Sequence, residues 1–254
     1  MDEANDRAAW FKGGSTCCRT LPAPPNQLYR LVLLGAPGVG KGTQAELLCA
    51  RFDICHLSTG DVFRAAKQLS CGELNPELER ALGYMRRGEL VPDETVLELV
   101  RQRAQCLRCS RGFVLDGFPR TVDQAEALQE MLQGESLALT AVIHFTLPPE
   151  QIVARLSGRR TCPGCKTTFH MAMQPPQVNG ICDHCGLALV QREDDQPESI
   201  RVRMRAYEQS TSPLLDFYQN RGLLISIAAD SSPVETCQHT ITSLTAAAEA
   251  ASPV

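Results

Sequence analysis

A run of glycines around one lysine follows the short apolar segment Leu31–Leu34. It reads Gly35-Ala36-Pro37-Gly38-Val39-Gly40-Lys41-Gly42-Thr43. Glycines let backbone N–H groups converge on phosphate oxygens at the start of a helix, and the lysine can reach the outer phosphates. The general pattern has Ser or Thr directly after the lysine, so here we expect the hydroxyl near a metal ion to come from Thr43. The run predicts a nucleotide phosphate site formed by Gly38, Val39, Gly40, Lys41, Gly42 and Thr43.

An aspartate ends a second apolar run, Phe113-Val114-Leu115-Asp116. A carboxylate at the carboxyl end of a strand can hold Mg²⁺ through water beside bound phosphates. An apolar strand that ends in aspartate is common in proteins. In a chain that also has a phosphate loop, it predicts a magnesium site at Asp116.

Four cysteines form two Cys-x-x-Cys pairs that are separated by 16 residues. This spacing is typical of a structural Zn²⁺ site with four thiolate ligands. An insert of about 30 residues is too small to bury a stable core without such a staple. The predicted ligands are Cys162, Cys165, Cys182 and Cys185. A third pair, Cys106 and Cys109, has no matching partner pair, and we interpret it as two ordinary thiols.

Short apolar runs alternate with helical stretches from Tyr29 onward, which is typical of βαβ units and a parallel sheet buried on both faces. We expect helices to begin at Pro149 and Pro197, the second continuing to Gly222. The segment between Arg160 and Arg192 breaks this alternation and predicts an inserted module. The predicted strands are Leu31–Leu34, Phe113–Leu115, Ala141–Thr146 and Leu223–Ile227.

The chain has 254 residues and a net charge of −4, from 29 acidic and 25 basic residues. This charge excludes a global field that would attract nucleic acid or an anionic membrane. No apolar run approaches the roughly 18 residues that a membrane span needs, and residues 1–28 lack the apolar core of a secretory signal. We expect a cytoplasmic monomer with no nucleic-acid or membrane partner. Residues 1–28 are predicted to be a disordered arm, and residues 245–254 a flexible tail.

Three further motifs join the glycine-rich run. They are LSTGDVFR at 57–64, RGELVPD at 87–93 and LDGFPRT at 115–121. In this order, with the cysteine insert, they resemble the adenylate kinases, a family of nucleoside monophosphate kinases. The resemblance extends from about residue 30 to about residue 234. It implies an α/β P-loop kinase core over 29–244, with a parallel five-stranded sheet flanked by helices. It also implies a helical monophosphate-binding insert over 58–91 and a zinc-ribbon lid over 157–193.

The resemblance assigns roles to individual residues. Transfer between two phosphates needs a cationic clamp and Mg²⁺ rather than a strong general base. The implied catalytic residues are Lys41, Asp116, Arg120, Arg155, Arg159, Arg192 and Arg203. The implied ATP contacts are the phosphate loop, Arg155, Arg159, Thr168, Phe169 and Ser232. The implied AMP contacts are Thr59, Arg64, Glu89, Leu90, Val91, Gly117, Phe118, Pro119, Arg120, Gln124, Arg192 and Arg203.

Some of these roles have structural alternatives. Gln124 is expected to read the adenine edge of AMP. Phe169 could equally fill the small insert. Asp194 and Asp195 resemble carboxylates that orient the lid arginines, but plain helix caps would look the same in the sequence.

The expected activity is reversible transfer of the γ-phosphoryl group of Mg-ATP to AMP, which yields two ADP. Mg²⁺ and a structural Zn²⁺ are the expected cofactors. One alternative is a related kinase that uses another monophosphate as acceptor. A second alternative is a regulator with a zinc ribbon that binds nucleotide without turnover, although such a protein would not need all of the arginines.

Overall fold

A computed structural model describes residues 28–66, 76–109, 111–165 and 167–251. The strands are β1 (Tyr29–Leu34), β2 (Cys55–Ser58), β3 (Gly112–Asp116), β4 (Ala141–Thr146), β5 (Arg159–Thr161), β6 (Thr168–His170) and β7 (Leu224–Ala228). Five of them form a parallel central sheet, in the order β2-β3-β1-β4-β7. A separate antiparallel pair joins β5 to β6. The parallel five-stranded sheet that the family resemblance implies is therefore confirmed.

Helices connect the strands and cover the sheet. A 3₁₀ turn spans Glu193–Asp195, and a π-helical segment spans Tyr207–Thr211. The α-helices are α1 (Lys41–Phe52), α2 (Thr59–Ala66), α3 (Pro76–Arg87), α4 (Asp93–Arg101), α5 (Ala104–Leu107), α6 (Val122–Gly134), α7 (Pro149–Gly158), α8 (Pro197–Ala206), α9 (Pro213–Gln219) and α10 (Pro233–Ala251). None of these helices is long and apolar enough to cross a membrane.

Both faces of the central sheet are buried, as the apolar character of its strands predicts. Successive residues of β1 point to opposite faces. Val32 and Leu34 join a core with α4 and α6, whereas Leu31 and Leu33 join a core with α1 and α10. Because all five strands run in the same direction, the loops after β1, β2 and β3 emerge at one edge of the sheet. In the register, Ser58 and Leu33 both align with Asp116 at that edge.

The helix predicted from Pro197 to Gly222 is interrupted. The chain is α-helical to Ala206, then π-helical, and a new helix begins at Pro213. Proline has no N–H to donate, so it favours the start of a helix over its interior. The Ser212 N–H donates to the Tyr207 carbonyl at 2.9 Å, the i to i−5 spacing of a π-turn.

The chain ends carry two predictions, a disordered arm over 1–28 and a flexible tail over 245–254. The predicted arm lies outside the described residues except for Leu28. The helix α10 continues into the predicted tail as far as Ala251. Alanine has the highest intrinsic helix propensity, so an alanine-rich run extends a helix that Leu244 anchors in the core.

Gly112 begins β3, the strand that ends in Asp116. Its φ is +96°, and an added Cβ would lie 2.1 Å from the carbonyl oxygen of Tyr29 on the neighbouring strand. We predict that Gly112→Ala lowers the free energy of unfolding by about 2–4 kcal/mol, because backbone strain and a clash add. Urea denaturation measures this change. Gly134→Ala is the control, since nothing lies within 4 Å of its added Cβ. Equal stabilities of the two variants would contradict the prediction.

Candidate functional site

The phosphate loop lies between the carboxyl end of β1 and the amino end of α1. Gly35 has φ +140°, and a Cβ there would lie 2.6 Å from the Phe145 carbonyl oxygen on β4. Only glycine fits this close approach to the sheet. Lys41 is the first residue of α1, so the loop ends at the helix terminus where backbone N–H groups lack intrahelical partners. This is the geometry that binds anions.

The Lys41 side chain folds back over its own loop. Its Nζ donates to the carbonyl oxygens of Gly35 at 2.6 Å and Ala36 at 3.0 Å. Burial lowers the pKa of Lys41 to about 7, with Asp116 opposing this shift and three nearby arginines adding to it. A phosphate group at the loop would favour the charged form of the lysine.

Asp116 stands at the end of β3, beside the start of α1. A Cβ on Gly42 would lie 3.7 Å from Asp116 Oδ2, so the carboxylate faces the helix that carries Lys41. His56, a buried residue on β2, has its Nε2 atom 3.6 Å from the same oxygen. Neither ring nitrogen of His56 has a hydrogen-bond partner. His56 has no sequence signal of its own, because it is a single histidine in a short buried strand.

Asp195 links two of the predicted clamp arginines. The Arg159 guanidinium donates to both Asp195 oxygens, at 2.7 and 2.5 Å. Arg203 Nη1 donates to Asp195 Oδ1 at 3.1 Å and lies 2.9 Å from Asp194 Oδ2. Gln196 is the residue that precedes α8, and it makes no side-chain cap bond. The two aspartates therefore orient arginines, which decides the alternative left open by the sequence.

Arg155 reaches from α7 to the phosphate loop. Its Nη1 donates to the Val39 carbonyl at 3.2 Å, and its Nη2 donates to the Ala229 carbonyl at 2.9 Å. Arg192 lies farther along the chain, where its Nε donates to Thr161 Oγ1 at 3.0 Å. Arg155 is thus in contact with the loop, whereas Arg192 stands at the base of the cysteine insert.

One cavity lies between the phosphate loop and two other sequence motifs, RGELVPD at 87–93 and LDGFPRT at 115–121. Arg120 lies at its wall, with Nε donating to the Gly117 carbonyl at 2.9 Å. The Thr59 hydroxyl donates to the same carbonyl at 3.0 Å. The cavity is lined by Leu33, Leu34, Gly35, Pro37, Lys41, Gly88, Leu90, Gly117, Pro119, Arg120, Arg203, Ala206, Tyr207 and Thr211. The structure therefore brings together Lys41, Arg120 and Arg203, which are separated widely in sequence.

Tyr207 and Thr211 are cavity residues that the sequence analysis did not identify. Both belong to the π-helical segment, a local irregularity that often accompanies functional sites. Tyr207 Oη lies 3.1 Å from His144 Nε2, and Thr211 Oγ1 donates to the Arg120 carbonyl at 3.0 Å. Burial and the charge of Lys41 lower the pKa of His144. The one sequence feature that points to this site is Tyr207, a residue with a polar hydroxyl at a position where the helical pattern is apolar.

Gln124 is buried, and its amide has a defined orientation. Its Nε2 donates to Asp93 Oδ1 at 2.7 Å, and its Oε1 accepts from the Arg120 N–H at 2.8 Å. The other Asp93 oxygen accepts from Thr121 Oγ1 at 2.6 Å. An amide has two N–H donors and two acceptor lone pairs, so Gln124 retains one of each. Sequence analysis quoted Asp93 within a motif but assigned it no role.

Several other predicted contact residues have structural partners. Ser232 caps α10, since its Oγ accepts from the Glu235 N–H while Glu235 Oε2 accepts from the Ser232 N–H. Glu89 accepts from Arg87 at 2.9 and 2.6 Å. The Phe118 side chain is fully buried in the core, and Val91 is also buried. Arg64 lies on α2, and its side chain falls outside the described part of the structure.

The four cysteines of the insert converge. Their sulfur atoms all lie within 4.8 Å of one another, and Cys162 Sγ is 3.3 Å from Cys185 Sγ. Four thiolates around one tetrahedral ion at about 2.3 Å would have a similar spread, so the donor set is compatible with zinc. The Phe169 side chain packs with Cys162 and Cys182 beneath this cluster, whereas Thr168 is exposed. Any contact of Phe169 with a nucleotide would therefore use its backbone.

Comparison with known proteins agrees with this geometry. The model of the family described as adenylate kinase matches residues 33–223. An adenylate kinase of Caldicellulosiruptor saccharolyticus is 44% identical over 217 residues, covering 85% of this chain and 98% of the relative. An adenylate kinase of Geotalea uraniireducens is 46% identical over 214 residues, covering 84% and 96%, and one of Geobacter sp. strain M21 is 48% identical over 197 residues, covering 78% and 90%. Since the match extends over nearly all of each relative and includes every motif that lines the cavity, the chain belongs to the adenylate kinase family.

Proposed function

We propose that this protein catalyses the reversible transfer of the γ-phosphoryl group of Mg-ATP to AMP, which yields two ADP. The observation that carries this proposal is the shared cavity. A phosphate loop with Lys41 forms one side of it, and the motif with Arg120 forms the other. Two phosphate sites that face each other across one cavity suit transfer between two nucleotides rather than hydrolysis.

On the donor side, the loop N–H groups and Lys41 hold the phosphates of ATP. Arg155 is fixed against the loop by two carbonyl oxygens, and Arg159 is fixed by Asp195. Thr43 and Asp116 hold Mg²⁺, which supplies charge neutralisation between the phosphates when bound. The remaining proposed ATP contacts are Gly38, Val39, Gly40, Gly42, Thr168, Phe169 and Ser232, the last two through the backbone.

On the acceptor side, Arg120 and Arg203 hold the phosphate of AMP at the cavity wall. Their planar forks bind phosphate oxygens in pairs and stay charged at all accessible pH values. The attacking group is already a phosphate oxyanion, so the residues need only align it and exclude water. The other proposed AMP contacts are Thr59, Arg64, Glu89, Leu90, Val91, Gly117, Phe118, Pro119, Gln124 and Arg192.

In this proposal, the amide of Gln124 selects AMP over monophosphates with other bases. Asp93 and the Arg120 N–H hold its nitrogen and oxygen on defined sides, so its remaining donor and acceptor are oriented. Adenine presents an amino donor beside a ring-nitrogen acceptor, whereas guanine and uracil present a carbonyl acceptor beside an N–H donor. An oriented amide therefore matches adenine and opposes guanine and uracil.

We further propose that segments 58–91 and 157–193 act as the acceptor-binding insert and the lid of a core over 29–244. Cys162, Cys165, Cys182 and Cys185 hold a structural Zn²⁺ in that lid. All cysteines in the described part of the chain are thiols without disulfides, which suits a cytoplasmic location. The net charge of −4 supports a monomer without a nucleic-acid partner.

Turnover with a panel of acceptors tests the function. Purified protein with Mg-ATP and AMP, CMP, UMP, GMP or dTMP is expected to form diphosphate fastest with AMP. Arg203→Ala is expected to lower kcat about 100-fold or more, because it removes a charge that is proposed to align the attacking phosphate of AMP. Arg205→Ala on the same helix is the control, since that side chain is exposed. No turnover with any acceptor would leave a nucleotide-binding regulator, and a better acceptor than AMP would indicate a related kinase.

Asp93→Ala tests the oriented amide. We predict a rise of about tenfold in KM for AMP and increased relative use of GMP and UMP, because Gln124 Nε2 and Thr121 Oγ1 both lose the carboxylate that accepts their hydrogen bonds. The KM for ATP should not change. Steady-state kinetics with each acceptor measure these effects. The control is Glu94→Gln, which removes a charge from an exposed neighbour on the same helix turn. Equal changes in KM for ATP and AMP would contradict this assignment.

Zinc content tests the lid. We predict about one zinc ion per chain, and Cys162→Ser should lose the ion and melt at a lower temperature, because the small insert has little core of its own. Plasma mass spectrometry and thermal denaturation provide the two readouts. Cys237→Ser, a buried cysteine on α10, should retain full zinc content. Wild-type protein that contains no zinc when purified without chelators would refute the metal site.

A further inference from the structure

Three buried cysteines lie at the amino-terminal edge of the central sheet, away from the phosphate loop. Cys55 is the first residue of β2, and Cys109 precedes β3. Their sulfur atoms are 3.1 Å apart, although the residues are 54 positions apart in sequence. Cys106 lies one turn before Cys109, whose N–H donates to the Cys106 carbonyl at 3.3 Å. All three pack in the core between the sheet and α4 and α6.

The two neighbouring thiols occupy the base of a long chain segment. Residues 56–108 leave the sheet at β2 and return to it at β3, and they include the whole segment 58–91. A second contact joins the same two ends, since Arg111 Nη1 lies 2.6 Å from Asp53 Oδ2. The two ends of this segment are therefore held close together in the folded protein. The sulfur atoms of Cys55 and Cys109 are adjacent without any further movement of the chain.

Arg111, two residues after Cys109, carries a positive charge that interacts electrostatically with both thiols. Burial opposes the charge of the Arg111 guanidinium, but its hydrogen bond to Asp53, together with the electrostatic influence of Cys55 and Cys109, raises its pKa overall. The Arg111 Nε atom is buried and lacks a hydrogen-bond partner. The thiolate is the nucleophile in thiol oxidation, and a positive charge stabilises a thiolate near it.

We infer that Cys55 and Cys109 form a reversible disulfide when the protein is exposed to hydrogen peroxide. One thiolate attacks a peroxide oxygen, breaks the O–O bond and becomes a sulfenic acid, and the released hydroxide takes up a proton to leave as water. The second thiol then attacks the sulfenic sulfur, forms the S–S bond and releases another water. The two sulfurs lose two electrons, the peroxide gains them, and a dithiol reductant reverses the reaction.

This disulfide closes the loop over 56–108 at its base. Cross-linking a loop of this length restricts the unfolded chain more than the folded one, so it stabilises the fold. The two cysteines lie at the edge of the sheet opposite the phosphate loop, and neither of them lines the cavity. It is consequently a modification site separate from the nucleotide site, and it does not depend on the proposed activity.

Peptide mapping tests the inference directly. Zinc-loaded protein is treated with a small excess of hydrogen peroxide, alkylated and digested with trypsin without reduction. Cleavage after Arg51, Arg64, Arg103, Arg108 and Arg111 places Cys55, Cys106 and Cys109 on three different peptides. The expected product joins the peptides 52–64 and 109–111, and reduction removes it. Oxidised protein should melt at a higher temperature than reduced protein.

Variants separate this pair from the other thiols. Cys55→Ser and Cys109→Ser should abolish the cross-linked product, whereas Cys106→Ser should retain it. Protein with Cys17→Ser, Cys18→Ser and Cys71→Ser should also retain it. Zinc release is followed with a metallochromic dye during the same treatment. The inference is overturned if wild-type protein yields only peptides with the zinc-site cysteines oxidised, or a disulfide that joins Cys106 instead of Cys109.

Discussion

The buried carboxylate of Asp195 holds together two arginines that would otherwise repel each other. Arg159 belongs to the junction of α7 and β5, Arg203 belongs to α8, and Asp195 lies in the turn between the cysteine insert and α8. A buried charge is costly unless it is paired and hydrogen-bonded, and the Asp195 side chain is fully buried. Its contacts to both guanidiniums meet that requirement. The insert and the helix that follows it are therefore tied together at the place where their positive charges must converge.

Other cations around the cavity are held in a similar way. Lys41 donates to carbonyl oxygens of its own loop, Arg155 donates to Val39 and Ala229, and Arg120 donates to Gly117. Each positive group thus has protein acceptors before any phosphate is bound. Charged phosphate oxygens form stronger hydrogen bonds than neutral carbonyl oxygens, so in the proposed mechanism a bound phosphate competes for these donors. The charged groups already surround the cavity before substrate enters.

The sequence predicted the parts of this arrangement that depend on local spacing. The phosphate loop, the strand that ends in Asp116 and the cysteine pairs are each contained in short segments. The structure also contains hydrogen bonds between residues far apart in sequence, such as His144 with Tyr207 and Asp93 with Gln124. The spacing of apolar residues along the chain does not predict such contacts. The π-helical segment is a similar case, because apolar spacing around Tyr207 is compatible with a continuous helix. Two features accompany this irregularity: the hydrogen bond from Thr211 Oγ1 to the Arg120 carbonyl, which is distant in sequence, and Pro213, which begins a new helix.

His170 shows how the cysteine insert is attached to the core. Its Nδ1 accepts from the N–H groups of Ala172 and Met173, so that nitrogen carries no hydrogen, and Nε2 donates to the Ala154 carbonyl at 3.2 Å. A Cβ at Gly158 would lie 2.3 Å from Nε2, so only glycine leaves room for the ring. The imidazole therefore joins β6 to the last turn of α7, the helix that carries Arg155 and ends beside Arg159. Phe169 on the same strand packs against Cys162 and Cys182, so β6 contacts both the cysteine cluster and the helix that carries Arg155.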